Sequence, residues 1–319
     1  MSTRIVLAIL RRLAIFALTA AVASAVVFAL LSVIPGDPAQ VALGIQATPE
    51  KLAVQRAAMG LDRPIVVQYG EWALGLLTGD FGVSAVTGKP VAAELVPRLG
   101  VTAILVLTGM AVAVFIAVPL GILAAVRHNR PVGILLSAVS QVGIAVPAFV
   151  AGLLLITVFG VWLQWFPSGG WARDGDGALA LLSYLVLPAI SLGVVQGAVL
   201  SRYVRSAVMD VMHEDYLRTA RAKGLPFLAA LVRHGLRNAA IPVLTVGGVQ
   251  LGLMLVGAVV VERVFVISGL GSMLLESVGN RDMIAVQGVV MVLVLAVLLI
   301  NFVVDLLYTV IDPRLRAAS

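Results

Sequence analysis

Six stretches of this chain are each long and apolar enough to cross a bilayer as a helix, and that leaves few folds open to it. An α-helical span needs about 20 consecutive, mostly apolar residues. Residues 9–34, 99–126, 132–161, 181–200, 239–261 and 284–311 all meet that requirement. The whole chain of 319 residues is 61% hydrophobic and 12% charged, against about 45–50% and about 25% in a soluble domain. Disorder, collagen and ordinary soluble enzymes are excluded on that ground. The first stretch is too long for a signal-peptide core, has no plain small-residue cleavage site and is followed by five more, so it reads as a retained span. The expected fold is all-α, with six transmembrane helices.

Arginine and lysine set the orientation. Arg4, Arg11 and Arg12 precede the first span, and Arg127 and Arg130 separate the second from the third. Arg202, Arg205, Arg218, Arg221, Lys223, Arg233 and Arg237 separate the fourth from the fifth, and Arg314 and Arg316 follow the sixth. All of these fall on one side of a six-span chain, while most of the 16 acidic residues fall on the other. The basic side is expected to be cytoplasmic, with both termini inside. The net charge of +6 therefore reads as membrane orientation rather than nucleic-acid binding. Trp162, Trp165 and Trp171 gather at the outer end of the third span, as an interfacial belt does. The scarcity of lysine beside arginine, alanine and valine resembles the usage of a GC-rich bacterial genome.

Two connecting segments stand out. Residues 35–98 form a long outer loop with turn signals at Pro35-Gly36-Asp37-Pro38 and Thr87-Gly88-Lys89-Pro90. Within it, Thr48-Pro49-Glu50 reads as a helix start, with threonine at the cap and proline at the first helical position. Short amphipathic helices near the outer surface are expected here. Residues 201–238 form a basic inner loop that reads as helix, turn, helix. A helix over 214–223 puts Tyr216 and Ala220 on one face and basic residues in its last turn. Gly224 can then take a left-handed cap, and Pro226 forbids continuation. Two readings of this loop stand: it satisfies the positive-inside pattern and nothing more, or it carries an exposed helix that docks on a soluble partner.

No catalytic constellation is evident. The chain has no cysteine, and His128, His213 and His234 are too scattered for a metal cage. Gly82 to Gly88 with Lys89 has a phosphate loop's outline, but the spacing is one residue long and Pro90 replaces the magnesium-binding Ser or Thr. His213-Glu214 lacks a second histidine four residues on, and Gly269-Leu270-Gly271 lacks a third glycine and a preceding strand. Gly193 with Gly197, and Gly248 with Gly252, allow close helix approach, for internal packing or for a subunit contact. Pro147 inside the third span suggests a kink, facing a translocation pathway or serving packing alone. Asp305, with Asn301 on the same face, is the acidic residue inside an apolar run. It sits about two turns from Asp312, where it can snorkel, pair with an inner arginine or relay protons.

The inner loop, Asp215-Tyr216-Leu217-Arg218-Thr219-Ala220-Arg221-Ala222-Lys223-Gly224 and on through His234-Gly235-Leu236-Arg237-Asn238-Ala239-Ala240-Ile241-Pro242, resembles the EAA loop of ABC importer permeases in its peptide/nickel family form. Further pieces match that family in order: Ile34-Pro35-Gly36-Asp37-Pro38, Gly60-Leu61-Asp62-Arg63-Pro64, Gly79-Asp80-Phe81-Gly82 and Thr87-Gly88-Lys89-Pro90. So do Val259 to Phe265, Gly269-Leu270-Gly271, Val304-Asp305-Leu306-Leu307-Tyr308 and Asp312-Pro313-Arg314. Each is weak alone; the order and spacing together are specific, and the chain is similar to the dipeptide/oligopeptide B-type subunit. Ala145-Val146-Pro147-Ala148-Phe149 departs from the family's serine-rich form of that segment, and 171–180 matches nothing in it.

The resemblance implies a division into 1–98, an N-terminal helix with its outer loop, and 99–319, a type-1 permease core with coupling loop 201–238. It implies Glu214, Asp215, Tyr216, Arg218, Thr219, Ala220, Ala222 and Gly224 as the ATPase-coupling residues. It implies a multi-pass protein of a bacterial inner membrane that is not an enzyme. Its expected partners are a second homologous permease in a heterodimer, two ATPase subunits that carry ATP and Mg2+, and an extracytoplasmic solute-binding protein. Substrates would be di- or oligopeptides, with nickel complexes or glutathione as alternatives. A proton-coupled secondary transporter, the competing class, needs buried ionisable residues near the midplane, and only Asp305 offers.

Overall fold

The fold was analysed in a computed structural model that describes residues 3–33, 36–173 and 175–311. Ile34, Pro35, Asp312, Pro313, Arg314 and Arg316 from the sequence motifs lie outside the described residues. Among the described residues thirteen α-helices run in order: α1 Thr3–Val33, α2 Pro38–Leu43, α3 Pro49–Ala58, α4 Ile65–Thr78, α5 Val91–Val126, α6 Pro131–Ala145 and α7 Ala148–Leu155, then α8 Gly177–Met212, α9 Asp215–Ala222, α10 Phe227–Ala230, α11 Leu236–Val264, α12 Leu270–Gly279 and α13 Met283–Ile311. A 3-10 turn covers Gly44–Gln46, and π-helical turns extend α7 over Ile156–Trp162 and join α10 to α11 over Leu231–Gly235. Among the described residues the fold is all-helical, with one isolated bridge between Val83 and Pro90.

Among the described residues five helical segments are long and apolar enough to cross a membrane: Ile9–Val33, Val91–Val126, Gly177–Met212, Phe227–Val264 and Met283–Leu307. A sixth is obtained if Pro131–Ala145 and Ala148–Trp162, bent by 97°, count as one span. The third predicted span is therefore not a straight helix. Pro147 disfavours helical geometry at Val146, which is extended at φ −89°, ψ 119°. The fourth predicted span is longer than expected and runs on to Met212 through part of the predicted inner loop. Its charged residues there alternate with a buried stripe of Ser201, Val204, Ala207, Val208 and Val211 at helical spacing.

The outer loop does hold short helices. Asp37 caps α2, accepting from the Ala39 N–H, with Pro38 at the first position. Thr48 caps α3, accepting from the Lys51 N–H, with Pro49 next.

The chain forms two units. The first comprises residues 1–102 and 268–299. Its core joins Val91, Leu95 and Leu99 of α5 to Leu270 and Met273 of α12 and Ala285, Val289 and Val292 of α13. Asp282 caps α13 through the Ala285 N–H and accepts from the Ser84 hydroxyl. The second comprises residues 103–267 and 300–319. In it α6, α7 and α11 pack on α8. Glycines allow the closest crossings: a Cβ on Gly193 would stand 2.5 Å from Val112 Cγ1, and one on Gly248 2.4 Å from Val304 Cγ2. A Cβ on Gly197 would stand 3.2 Å from the Ala113 carbonyl. These glycines serve internal packing.

Candidate functional site: the loop between α8 and α11

The loop after α8 is built on a short helix that one side chain pins to the core. Eight residues are too few for a helix to hold in water on propensity alone, so α9 depends on its seat. Leu217 is 2% exposed and Ala220 is buried beside it, with Tyr216 half-buried on the same side. They pack into a cluster with Val204, Val208 and Val211 of α8, Ala230 and Leu231 below, and Ala117 and Ala125 of α5. The π-helical turn at Leu231–Gly235 brings Gly235 under α9, where a Cβ would meet Leu231 Cδ1 at 2.8 Å, Val211 Cγ1 at 2.9 Å and Leu217 Cδ1 at 3.6 Å. Leu217 and Gly235 are the two seating residues that the motif reading missed. An apolar residue within a polar motif and a glycine at a close crossing were the available signals.

The helix ends follow from local chemistry. Glu214 is the extended N-cap, at φ −71°, ψ 141°, and Asp215 places a negative charge in the first turn. At the other end Gly224 adopts φ +92°, with its N–H on the Arg221 carbonyl at 2.9 Å. The Leu225 N–H then closes on the Ala220 carbonyl at 3.2 Å, a Schellman-type end. Pro226 opens α10 as its N-cap.

The remaining predicted site residues share the opposite face. Asp215, Arg218, Thr219 and Ala222 follow the i, i+3, i+4, i+7 pattern and are all exposed, with Glu214 beside them. Arg218 reaches Asp215 at 3.4 Å, a solvent-exposed pair of little energetic weight. The Arg221 guanidinium stands 5.8 Å from the Phe227 ring centroid, so it is tethered to the start of α10. The Tyr216 hydroxyl is buried and has no hydrogen-bond partner among the described residues. The arrangement is a seated helix with an exposed face of mixed charge.

The other predicted positions lie elsewhere. Pro147 opens α7, and Ser191 of α8, fully buried, donates to the Ala148 carbonyl at 2.6 Å. The break is thus stitched to α8. Asn301 and Asp305 lie four residues apart on an exposed face of α13. Trp162 and Trp165 are exposed at the end of the bent pair, with Trp165 5.5 Å from the Phe159 ring.

Comparison with known proteins assigns this architecture. The profile of the binding-protein-dependent transport system inner membrane component matches residues 117–317, and the N-terminal profile of the same systems matches residues 5–106. The chain belongs to that family. It is 40% identical over 308 residues to the glutathione transport system permease protein GsiC of Salmonella typhimurium, covering 97% of this chain and 98% of the relative. The GsiC of Escherichia coli K12 is 40% identical over 295 residues, covering 92% and 94%. A chain of the MetNI methionine ABC transporter in an inward-facing conformation aligns with TM-score 0.54 at 17% identity, over 69% of this chain and 96% of that one, which supports the fold. The protein is an ABC importer permease of the peptide/nickel type, a multi-pass component of an inner membrane. Its family works with ATPase and binding-protein partners.

Proposed function

We propose that the chain forms one half of the translocation pathway of an ATP-driven importer for short peptides, glutathione included. The observation that carries the substrate class is the 40% identity to GsiC over nearly the full length of both chains. Dipeptides and oligopeptides remain within that class, and nickel complexes are the more distant alternative. A second homologous permease completes the pathway as a heterodimer. With the bent α6–α7 pair counted as one span the chain crosses six times, which puts both termini on one side, and the arginine distribution supports the cytoplasm as that side.

In this reading the outward face of α9, with Glu214, Asp215, Arg218, Thr219 and Ala222, docks on an ATPase subunit. Leu217 and Ala220 transmit its movement to α8, and Gly224 sets the turn. ATP and Mg2+ are bound by the ATPase partners. Each partner shifts the inward–outward equilibrium only through its different affinity for the two states. Pro147 supplies the bend at which the pathway-side segment turns. Asn301 and Asp305 serve the inner end of α13 rather than a proton relay.

The test is ATP hydrolysis by the complex assembled with both permeases, both ATPases and the binding protein. Stimulation should follow binding protein loaded with glutathione or a dipeptide. Stimulation by a nickel complex alone would move the substrate class.

A further inference from the structure

The helix α4 is the surface element that the coupling mechanism does not use, and it is sunk beside a membrane span rather than laid above it. Three aromatic residues fix its level. Tyr69 and Trp72 of α4 stand 5.5 and 5.6 Å from the Phe28 ring of α1. The Tyr69 and Ser24 hydroxyls are hydrogen bonded at 3.0 Å, and Ser24 and Phe28 are both buried. Ser24 lies nine residues before Val33, the end of the span, or about 13 Å along the helix axis. The span has 25 residues, about 37 Å of helix, against a hydrocarbon core of about 30 Å. Even if the whole excess projects at the Val33 end, Ser24 remains about 6 Å inside hydrocarbon.

The exposed side of α4 is sorted by polarity. Val66 at 76%, Leu74 at 66% and Leu77 at 84% are exposed on one side, between 66 and 77 at helical spacing. Glu71, ion-paired with Arg63, and Thr78 mark the adjoining polar edge. On α1, Val22, Val26 and Leu30 are likewise exposed within the span, on the side turned away from Ser24 and Phe28. An exposed apolar face at that depth fits acyl chains as its neighbour. The paired Arg63 and Glu71 keep that polar edge at the water boundary, and the Tyr69–Ser24 bond satisfies the two hydroxyls where α4 meets α1.

We infer that α4 is a lipid-embedded interfacial helix whose Val66, Leu74 and Leu77 face contacts phospholipid acyl chains and anchors the outer loop against α1. This goes beyond the transport reading and does not depend on the substrate.

The chain has no cysteine, so single nitroxide labels can be placed at Leu74→Cys, Leu77→Cys and Glu71→Cys in the assembled transporter in phospholipid nanodiscs. Collisions with oxygen should exceed those with a water-soluble nickel chelate at 74 and 77, and the ratio should invert at 71. Labels at 74 and 77 relaxed mainly by the nickel chelate would place α4 in water, and labels shielded from both reagents would put a protein partner on that face. Either result overturns the inference. The unsubstituted chain gives a second reading. A phospholipid with a diazirine in mid-acyl chain should cross-link within 65–78 as well as within α1. Cross-links in α1 with none in α4 would also overturn it.

Discussion

Gly224→Val tests the proposed coupling role of α9 at the helix's most constrained point. Gly224 adopts φ +92°, and nothing lies within 4 Å of where its Cβ would be. The substitution therefore introduces no clash with a neighbour; its cost is backbone strain. An L-residue in the left-handed region costs about 1–2 kcal/mol, and a β-branched one sits at the upper end or beyond. The opposing term is the seat of α9, chiefly the Leu217 side chain, whose burial contributes about 1.5–3 kcal/mol. The two are comparable, so the strain is enough to displace α9. A shift of one or two kcal/mol changes the ratio of seated to displaced helix by about five- to thirty-fold. Membrane insertion should be unchanged, because the span cores are untouched. Binding-protein-stimulated ATP hydrolysis and uptake by the reconstituted complex follow the seated fraction rather than the ratio, so they should fall together, by up to about threefold where the strain exceeds the seat. Gly224→Asn should recover most of the loss, since asparagine tolerates positive φ. Normal stimulated hydrolysis and normal uptake in a fully assembled Gly224→Val complex would refute the reasoning.

Three further outcomes follow from the same geometry. Single cysteines at Lys89 and Arg173, both exposed, should react with an impermeant thiol reagent in intact cells, while those at Arg130 and Arg221 should react only after permeabilisation; reaction at 221 in intact cells would overturn the six-span orientation. Gly193→Ala should lower the thermal unfolding temperature in detergent, by the equivalent of about 1–3 kcal/mol of overpacking, because its Cβ would stand 2.5 Å from Val112, whereas Gly247→Ala, with nothing within 4 Å, should not. Leu217→Ala should cost about 2–5 kcal/mol locally and weaken copurification of the ATPase while leaving total membrane-inserted protein unchanged; undiminished copurification would mean that α9 does not need its seat.

The elements legible in the sequence were those with a local chemical signature. Thr48-Pro49 announced the start of α3, and Lys223-Gly224 followed by Pro226 announced the end of α9 with the observed positive φ. The apolar runs located the spans but not their true lengths. Hydropathy ends the fourth at Leu200 because Arg202 and Arg205 follow, yet the helical stripe of Val204, Ala207, Val208 and Val211 carries α8 to Met212. The 97° bend between α6 and α7 was hidden inside a uniformly apolar run, with Pro147 as its one trace. In the coupling loop the polar residues of the motif turned out to be its outward face. The residues that hold it, Leu217 and Gly235, became legible only through packing, because each acts by what lies opposite it in space.

Uptake of labelled glutathione by proteoliposomes holding the complete assembly tests the central claim most directly. Accumulation should require the binding protein and ATP hydrolysis and persist when the proton gradient is collapsed. Uptake that continues without the ATPase subunits and stops when the proton gradient is dissipated would contradict it.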